Sequence, residues 1–334
     1  MNTRNLCNEK YNSKIGADNK MIAVVIPCYR SRNQVLAVLE KIGPEVSRIY
    51  VVDDGCPEGT GDYVSRNCQD SRVVVIKNER NQGVGGATIA GYRKALADKA
   101  SIVIKLDSDG QMDPAMIPTF VEPIQEGRAD YTKGNRFYVL EYLKNMPGVR
   151  VFGNAVLSLI TKFSTGYWNI MDPTNGFTAI HSKVLNLLPF DKLDNRYFFE
   201  SDMLFRLNII RAVVMDIPLM STYNDGPSSL RIPSVSILFP GKHLLRFTKR
   251  IFYNYFLREF NLGTIQLVCG SIMLGGGTIF GAYEWYINFK AGIETTSGTV
   301  MLAALPILLG FNLLVGAVNY DISSIPRTVI HKVL

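Results

Sequence analysis

Apolar residues follow two regimes along this chain. From Met21 to about Asn261 they come in short runs broken by charged and turn residues, as in a water-soluble core. After Leu262 two long stretches carry no charge. The first short run, Met21–Pro27 (MIAVVIP), is continuous and ends in proline, which predicts a strand buried on both faces. Val35, Leu36, Val38 and Leu39 recur at helical spacing within Asn33–Ile42. Arg48–Val52 predicts a second strand, Gly59–Cys68 a helix and Arg72–Ile76 a third strand. A glycine-rich turn, Asn81–Gly86, opens a helix over Ala87–Ala97, and Ser101–Leu106 (SIVIKL) predicts a fourth strand. Strands alternating with helices imply an α/β domain on a mostly parallel sheet over residues 21–230. Ligands of such sheets lie beyond the carboxyl ends of the strands. Residues 1–20 are polar and mixed in charge, and read as a disordered lead-in without a secretory signal.

The uncharged stretches, Leu262–Tyr283 and Thr296–Asn319, each exceed the roughly 20 residues that cross a bilayer. The alternative is a pair of buried helices in a soluble protein. Length disfavours it, as does the polar and aromatic rim Glu284, Trp285 and Tyr286. Pro306 can kink the second span, which membrane helices tolerate. Gly277 and Gly281 form a GxxxG, a weak mark of a helix-packing face. Ahead of the spans, residues 231–261 mix Leu, Phe and Tyr with Lys and Arg, and predict amphipathic helices in the membrane interface. Residues 320–334 are read as a cytoplasmic tail.

Composition narrows the class. Apolar residues make up 47% and charged residues 19%, so the chain is neither disordered nor a polytopic transporter. The net charge of +7 gathers near the spans, with Lys242, Arg246, Lys249, Arg250 and Arg258 before the first and Arg327 and Lys332 after the second. That distribution marks cytoplasmic flanks of membrane helices and places both chain ends on that side. It is not the basic, aromatic-interleaved surface that nucleic acid needs. Cys7, Cys28, Cys56, Cys68 and Cys269 are scattered and odd in number, against a disulfide framework or zinc site. His181, His243 and His331 show no ligand spacing and read as satisfied polar residues.

The strongest chemical signal is Lys105-Leu-Asp107-Ser-Asp109-Gly-Gln111-Met-Asp113-Pro114. Carboxylates at alternate positions after a buried strand can both face one hard cation, with Gln111 adding a carbonyl oxygen. Mg²⁺ or Mn²⁺ binds such oxygens together with substrate phosphates. A plain turn with Asp113 as helix cap accounts for Asp113 and Pro114 but not for Asp107 and Asp109. Asp53-Asp54-Gly55 closes the second strand, and serves equally as a ligand for base or ribose or as turn chemistry. Gly83-Val-Gly-Gly does not complete a dinucleotide fingerprint and does not follow the first strand, so a nicotinamide enzyme is disfavoured.

Pro27-Cys-Tyr29, Val52-Asp53-Asp54-Gly55, Asn81-Gln-Gly83 through Gly91, Asp107-Ser-Asp109-Gly-Gln111, Gly134-Asn-Arg136, Asp172-Pro-Thr-Asn-Gly176-Phe177 and Phe199-Glu200-Ser-Asp202 together resemble family-2 glycosyltransferases in order and spacing. The two spans make the chain similar to the polyprenyl-phosphate branch, that of dolichol-phosphate mannose synthases and bacterial undecaprenyl-phosphate glycosyltransferases. The resemblance covers about residues 21–320. It implies a GT-A, Rossmann-like catalytic domain followed by interfacial amphipathic helices and two C-terminal transmembrane helices. It places Pro27, Tyr29, Asp53, Asp54, Gly83, Asp107 and Ser108 on the nucleotide donor, and Asp107, Asp109 and Gln111 on the metal. Asp109, Arg136, Asp172, Glu200 and Asp202 become the catalytic set. Two departures stand out. Arg30 and Ser31 replace the asparagine and glutamate common after the tyrosine. Where mannose synthases offer a lysine to phosphate, this chain reads Gly226-Pro-Ser228-Ser229-Leu-Arg231. Ser229 and Arg231, with Arg136, are then the expected contacts of the acceptor phosphate.

The expected reaction is inverting transfer of a sugar from a nucleotide diphosphate, UDP favoured over GDP, to a polyprenyl phosphate such as undecaprenyl phosphate. An ionised phosphate needs little help from a base. A hydroxyl acceptor, as in O-antigen or capsule assembly, needs one, and Asp202 is the candidate. A non-catalytic membrane scaffold is a third reading, disfavoured by the intact metal-binding residue types. Expected partners are the nucleotide sugar, the lipid phosphate, the inner membrane and further copies of the chain, as a dimer or tetramer.

Overall fold

The computed structural model describes residues 21–139, 148–219 and 232–334; the lead-in 1–20 and the expected phosphate contacts Ser229 and Arg231 lie outside them. Strands β1 (Ile22–Cys28), β2 (Arg48–Asp53), β3 (Val73–Lys77) and β4 (Ile102–Lys105) alternate with helices α1 (Val35–Glu40), α2 (Thr60–Asn67) and α3 (Val84–Ala97). Then come α4 (Ile117–Gln125), β5 (Tyr131–Asn135), α5 (Gly148–Thr165), β6 (Thr178–His181), α6 (Ser182–Leu185), α7 (Phe199–Ile209) and β7 (Val214–Pro218). Helix α8 (Ile232–Ile251), a π-helical segment (Phe252–Arg258), α9 (Leu262–Ala291) and α10 (Ser297–Ser323) complete the described chain.

The seven strands form one sheet in the order β3-β2-β1-β4-β6-β5-β7. β3, β2, β1 and β4 are mutually parallel, as the alternation predicted. β6 is antiparallel to β4 and β5, and β7 pairs parallel with β5, so the sheet is mostly parallel but mixed. Every residue of β1 is buried, because both sheet faces are covered. Val25, Tyr50 and Val103 meet Tyr92 of α3 and Phe199 and Leu204 of α7. Val24, Ile26, Val51 and Ile104 meet Val38 of α1 and Phe120 and Ile124 of α4. Each such fully buried side chain contributes about 1.5–3 kcal/mol of transfer free energy.

The two long apolar helices pack on each other and are otherwise bare: only 11% of either apolar window is buried. Ile272, Ile279, Leu302 and Phe311 point outward, so these are not core helices of a soluble protein. Glycine lets their backbones meet. A Cβ built on Gly310 would stand 2.5 Å from the Leu274 nitrogen, and one on Gly277 3.0 Å from the Ala303 carbonyl. The glycine face therefore serves the chain's own hairpin. A second apolar surface lies on α5, where Phe152, Val156, Leu159 and Phe163 are exposed along one side. It accompanies exposed Leu244 and Leu245 of α8 and Phe252, Phe256, Leu257 and Phe260 beyond it. Exposed apolar side chains were expected over residues 231–261; α5 carries them as well.

The segment after α10 is not a free tail. The backbone N–H groups of Ile330 and His331 donate to Asp130, the wholly buried residue before β5, and His331 Nδ1 lies 2.7 Å from Asp130 Oδ1. His331 also stacks on His181 at 4.2 Å between ring centroids, so two histidines without sequence spacing meet in space.

Candidate active site

The carboxyl ends of the strands gather most of the expected residues. Tyr29 follows β1 and is exposed, with the Arg30 guanidinium 5.5 Å from its ring centre. Pro27 is within β1, paired with Val52. At the end of β2 both aspartates are committed to the chain itself. Asp53 accepts from Cys56 N at 2.8 Å and Gly61 N at 2.6 Å, tying down the start of α2. Asp54 accepts from Asn78 Nδ2, Gln82 N and Gly83 N at 2.7–2.9 Å, which pins the glycine-rich turn. Gly83 has φ +89°, and a Cβ there would fall 2.5 Å from the Asn195 carbonyl. The side a Cβ would occupy is thus filled by the loop before α7. Of the two readings of Asp53-Asp54-Gly55, the geometry displays turn chemistry.

The end of β4 differs. Lys105, 1% exposed, binds Asp107 at 2.6 Å and Glu200 at 3.1 Å. Burial works against its charge, yet the two carboxylates hold the ammonium above its ordinary range. Burial pushes the Glu200 carboxyl up, with Lys105 opposing. Gly176 makes room: a Cβ there would lie 2.1 Å from Asp107 Oδ2 and 2.5 Å from Lys105 Nζ. Ser108 is buried beneath the loop, whereas Asp109 is exposed and accepts only the Gln111 N–H, at 3.0 Å. Partial enclosure, and then the Asp107 carboxylate, raise Asp109 above the usual carboxylate range. Asp113 caps the turn beginning at Pro114, accepting from Ala115 N. Among the described residues no three His, Cys, Asp or Glu form a closed cage. The donor set does fit a hard divalent cation whose shell is completed by substrate oxygens, since Asp109 is open and Asp107 has an oxygen beyond the one on Lys105.

Beyond β5, Arg136 is held in a fork by Asp172, Nε to Oδ2 at 2.6 Å and Nη2 to Oδ1 at 2.7 Å. Asp172 is wholly buried with φ +53°, a left-handed backbone uncommon outside glycine. Despite burial, the guanidinium holds its carboxyl below the ordinary range. Lys133, also buried, donates to the carbonyls of Gly134, Met171 and Asp172 and so ties this loop to β5. Asp202 lies apart from the set. One turn into α7, it takes Arg206 at 3.3 Å and Arg246 at 2.6 Å and also accepts from Asp194 N, with no exposed surface. The expectation that Asp202 is a catalytic base is corrected: a fully engaged, buried carboxylate clasping α7 to α8 is not placed to accept a substrate proton.

A model of glycosyl transferase family 2 matches residues 23–188, from β1 through β6. The chain carries a glycosyl transferase family 2 domain. Among its relatives, UDP-N-acetylglucosamine–dolichyl-phosphate N-acetylglucosaminyltransferase of Methanococcus voltae is 29% identical, covering 62% of this chain and 88% of the relative. Undecaprenyl-phosphate mannosyltransferase of Micrococcus luteus is 29% identical over 59% and 82% of the two chains. Polyprenol monophosphomannose synthase of Mycolicibacterium smegmatis is 27% identical over 60% and 77%. The fold is that of glucosyl-3-phosphoglycerate synthase from Mycobacterium tuberculosis, solved with Mn²⁺ and UDP-glucose. The two superpose with a TM-score of 0.54 at 21% identity over 72% of this chain and 83% of that one.

This glycosyltransferase therefore has the GT-A fold. Its Glu200 and membrane segments lie beyond the matched stretch. Lys105, Lys133 and Gly176 were not singled out as site residues. One signal was available: a lysine in a strand buried on both faces requires carboxylates nearby.

Proposed function

We propose that this enzyme transfers a sugar, with inversion, from a nucleoside diphosphate to a polyprenyl phosphate at the cytoplasmic face of a membrane. UDP is the favoured nucleotide and undecaprenyl phosphate the favoured acceptor. The observation that favours a phosphate acceptor is the engagement of Asp202, the base expected of a hydroxyl acceptor, which is buried and clasped by two arginines. A hydroxyl acceptor needs a base, whereas a phosphate arrives ionised. The names of the relatives, all lipid-phosphate glycosyltransferases, support the same reading.

In this mechanism Tyr29 and the carboxyl end of β1 hold the nucleotide. Asp107 and Asp109, with Gln111 beside them, would hold Mg²⁺ or Mn²⁺, which supplies charge neutralisation at the leaving diphosphate. Lys105 holds Asp107 in place. Asp172 orients Arg136 toward the phosphates, so that no side-chain reorganisation is needed as charge develops. The exposed faces of α5 and α8 rest in the interface and bring the lipid phosphate to the strand edge.

The test is transfer from labelled UDP- and GDP-sugars to undecaprenyl phosphate in detergent, with and without Mg²⁺ or Mn²⁺. An acid-labile labelled lipid that requires metal is expected. Sugar transfer to hydroxyl acceptors alone would sink the proposal.

A further inference from the structure

The loop that carries Asp172 is fastened from behind, by groups that the proposed reaction leaves unused. In the parallel ladder between β5 and β7, Lys133 stands opposite Asp216. Asp216 Oδ2 accepts from the backbone N–H of Met171 at 2.9 Å and from Asn135 Nδ2 at 2.8 Å. Asn135 Oδ1 accepts in turn from the Phe137 N–H at 2.8 Å, so this side chain brackets Arg136. Lys133 Nζ donates to the Met171 carbonyl at 2.9 Å and to the Asp172 carbonyl. The Asp172 N–H donates to Ser158 Oγ of α5 at 3.3 Å. Met171 and Asp172 are thus each held by N–H and by carbonyl.

This fastening coincides with an uncommon backbone. Asp172 has φ +53°, a conformation that costs energy outside glycine and persists where neighbouring groups over-determine it. Rotation about φ swings Cβ relative to the preceding peptide, so freeing that peptide would carry the carboxylate off the Arg136 fork. Charge alternates through the set, in the order Asp216, Lys133, Asp172, Arg136. Burial lowers the Lys133 ammonium below its ordinary range, and Asp216 and then Asp172 oppose that. Tying β7 to β5 does not account for these side chains. The backbone ladder already pairs the strands from Tyr131 to Asn135, whereas the bonds to Met171 and Asp172 reach a loop outside it.

We propose that Asp216, acting with Lys133 and Asn135, positions Asp172 and through it the Arg136 guanidinium at the substrate phosphates. This rests on Arg136 meeting those phosphates, as in the proposed function. Asp216 is a positioning residue: it acts through another side chain and not on the reacting atoms. Its loss should slow turnover more than it weakens donor binding.

The experiment is sugar transfer to undecaprenyl phosphate by the full chain in detergent, below the unfolding midpoint of each variant. Asp216→Ala should lower kcat by about thirtyfold, with donor KM changed by less than about threefold. Asp216→Asn keeps an oxygen for Met171 and Asn135, and should return kcat to within about threefold of the parent. Added to Arg136→Gln, Asp216→Ala should lower kcat little further, because both act on one interaction. Asn135→Ala removes the bracket but leaves the strand ladder, and should give a smaller loss of the same kind. It replaces Asp216→Ala should that variant not fold. A parent-like kcat in Asp216→Ala, or in Asn135→Ala where that replaces it, would overturn the inference. So would a full further loss on top of Arg136→Gln, the mark of a merely structural role. A parent-like kcat in Arg136→Gln alone would instead remove Arg136 from the mechanism. The positioning role would fall with it, but by an outcome read separately.

Discussion

Two aspartate pairs sit at the carboxyl ends of neighbouring parts of one sheet, and the protein uses them oppositely. Asp53 and Asp54 receive five hydrogen bonds from the chain: two on Asp53, three on Asp54. Asp107 has one lysine and Asp109 one backbone N–H. Residue type is equal; the supply of internal donors is not. A carboxylate engaged by the backbone of its own turn holds that turn in place, and one left open beyond a strand end retains affinity for a cation. Asp216 is a third case. It accepts from Asn135 and Met171, its Oδ1 has no partner among the described residues, and burial pushes its carboxyl up to about 6.

The contrast can be broken most sharply at Asp109. Asp109→Asn should lower transfer by roughly a thousandfold with little change in unfolding temperature; an active variant would remove the open pair from the mechanism. Next, Lys105→Met leaves Asp107 and Glu200 uncompensated and should destabilise by about 3–5 kcal/mol in denaturant titration. Adding Glu200→Gln should recover part of that loss. Asp54→Ala should cost about 2 kcal/mol or more of stability by orphaning the donors of the glycine turn. Its unfolding midpoint should shift before donor affinity is examined; an unchanged midpoint would equate the two pairs. The smallest effect concerns pH. The folded Asp216 carboxyl titrates above its ordinary 3.8, so its stabilising contribution is full below about pH 4 and is lost as pH rises through about 6. Asp216→Asn should flatten stability across that window, read as unfolding midpoints between about pH 4 and 7.

The parallel half of the fold was legible because β1, β2 and β4 are built on consecutive apolar residues, charged only at their ends in β2 and β4, as a doubly covered strand requires. β6 and β7 are short, and β5 and β7 carry charge (Lys133, Asp216), so periodicity does not reveal them. The site was legible as a set of residue types near strand ends. What the letters hide is how many donors each carboxylate meets, since Asn78, Cys56 and Gly61 reach Asp53 and Asp54 only through folding. Glu200 and Asp202 are two residues apart on one helix, which turns Glu200 to Lys105 and Asp202 toward α8. The outward stripe of α5 has the spacing of a core helix; sequence gives the stripe but not the medium it faces.

The docking of Ile330 and His331 on Asp130 closes the chain into a circuit. The hairpin leaves the catalytic domain through the π-helical segment and its return is fastened beside β5. On the proposed function, a single tether would let the domain swivel and bob above the membrane, whereas two attachment points would act as a saddle that fixes tilt and height. A lipid phosphate would then meet the carboxyl ends of the strands at one constant elevation, set by the fold and not by chance encounter.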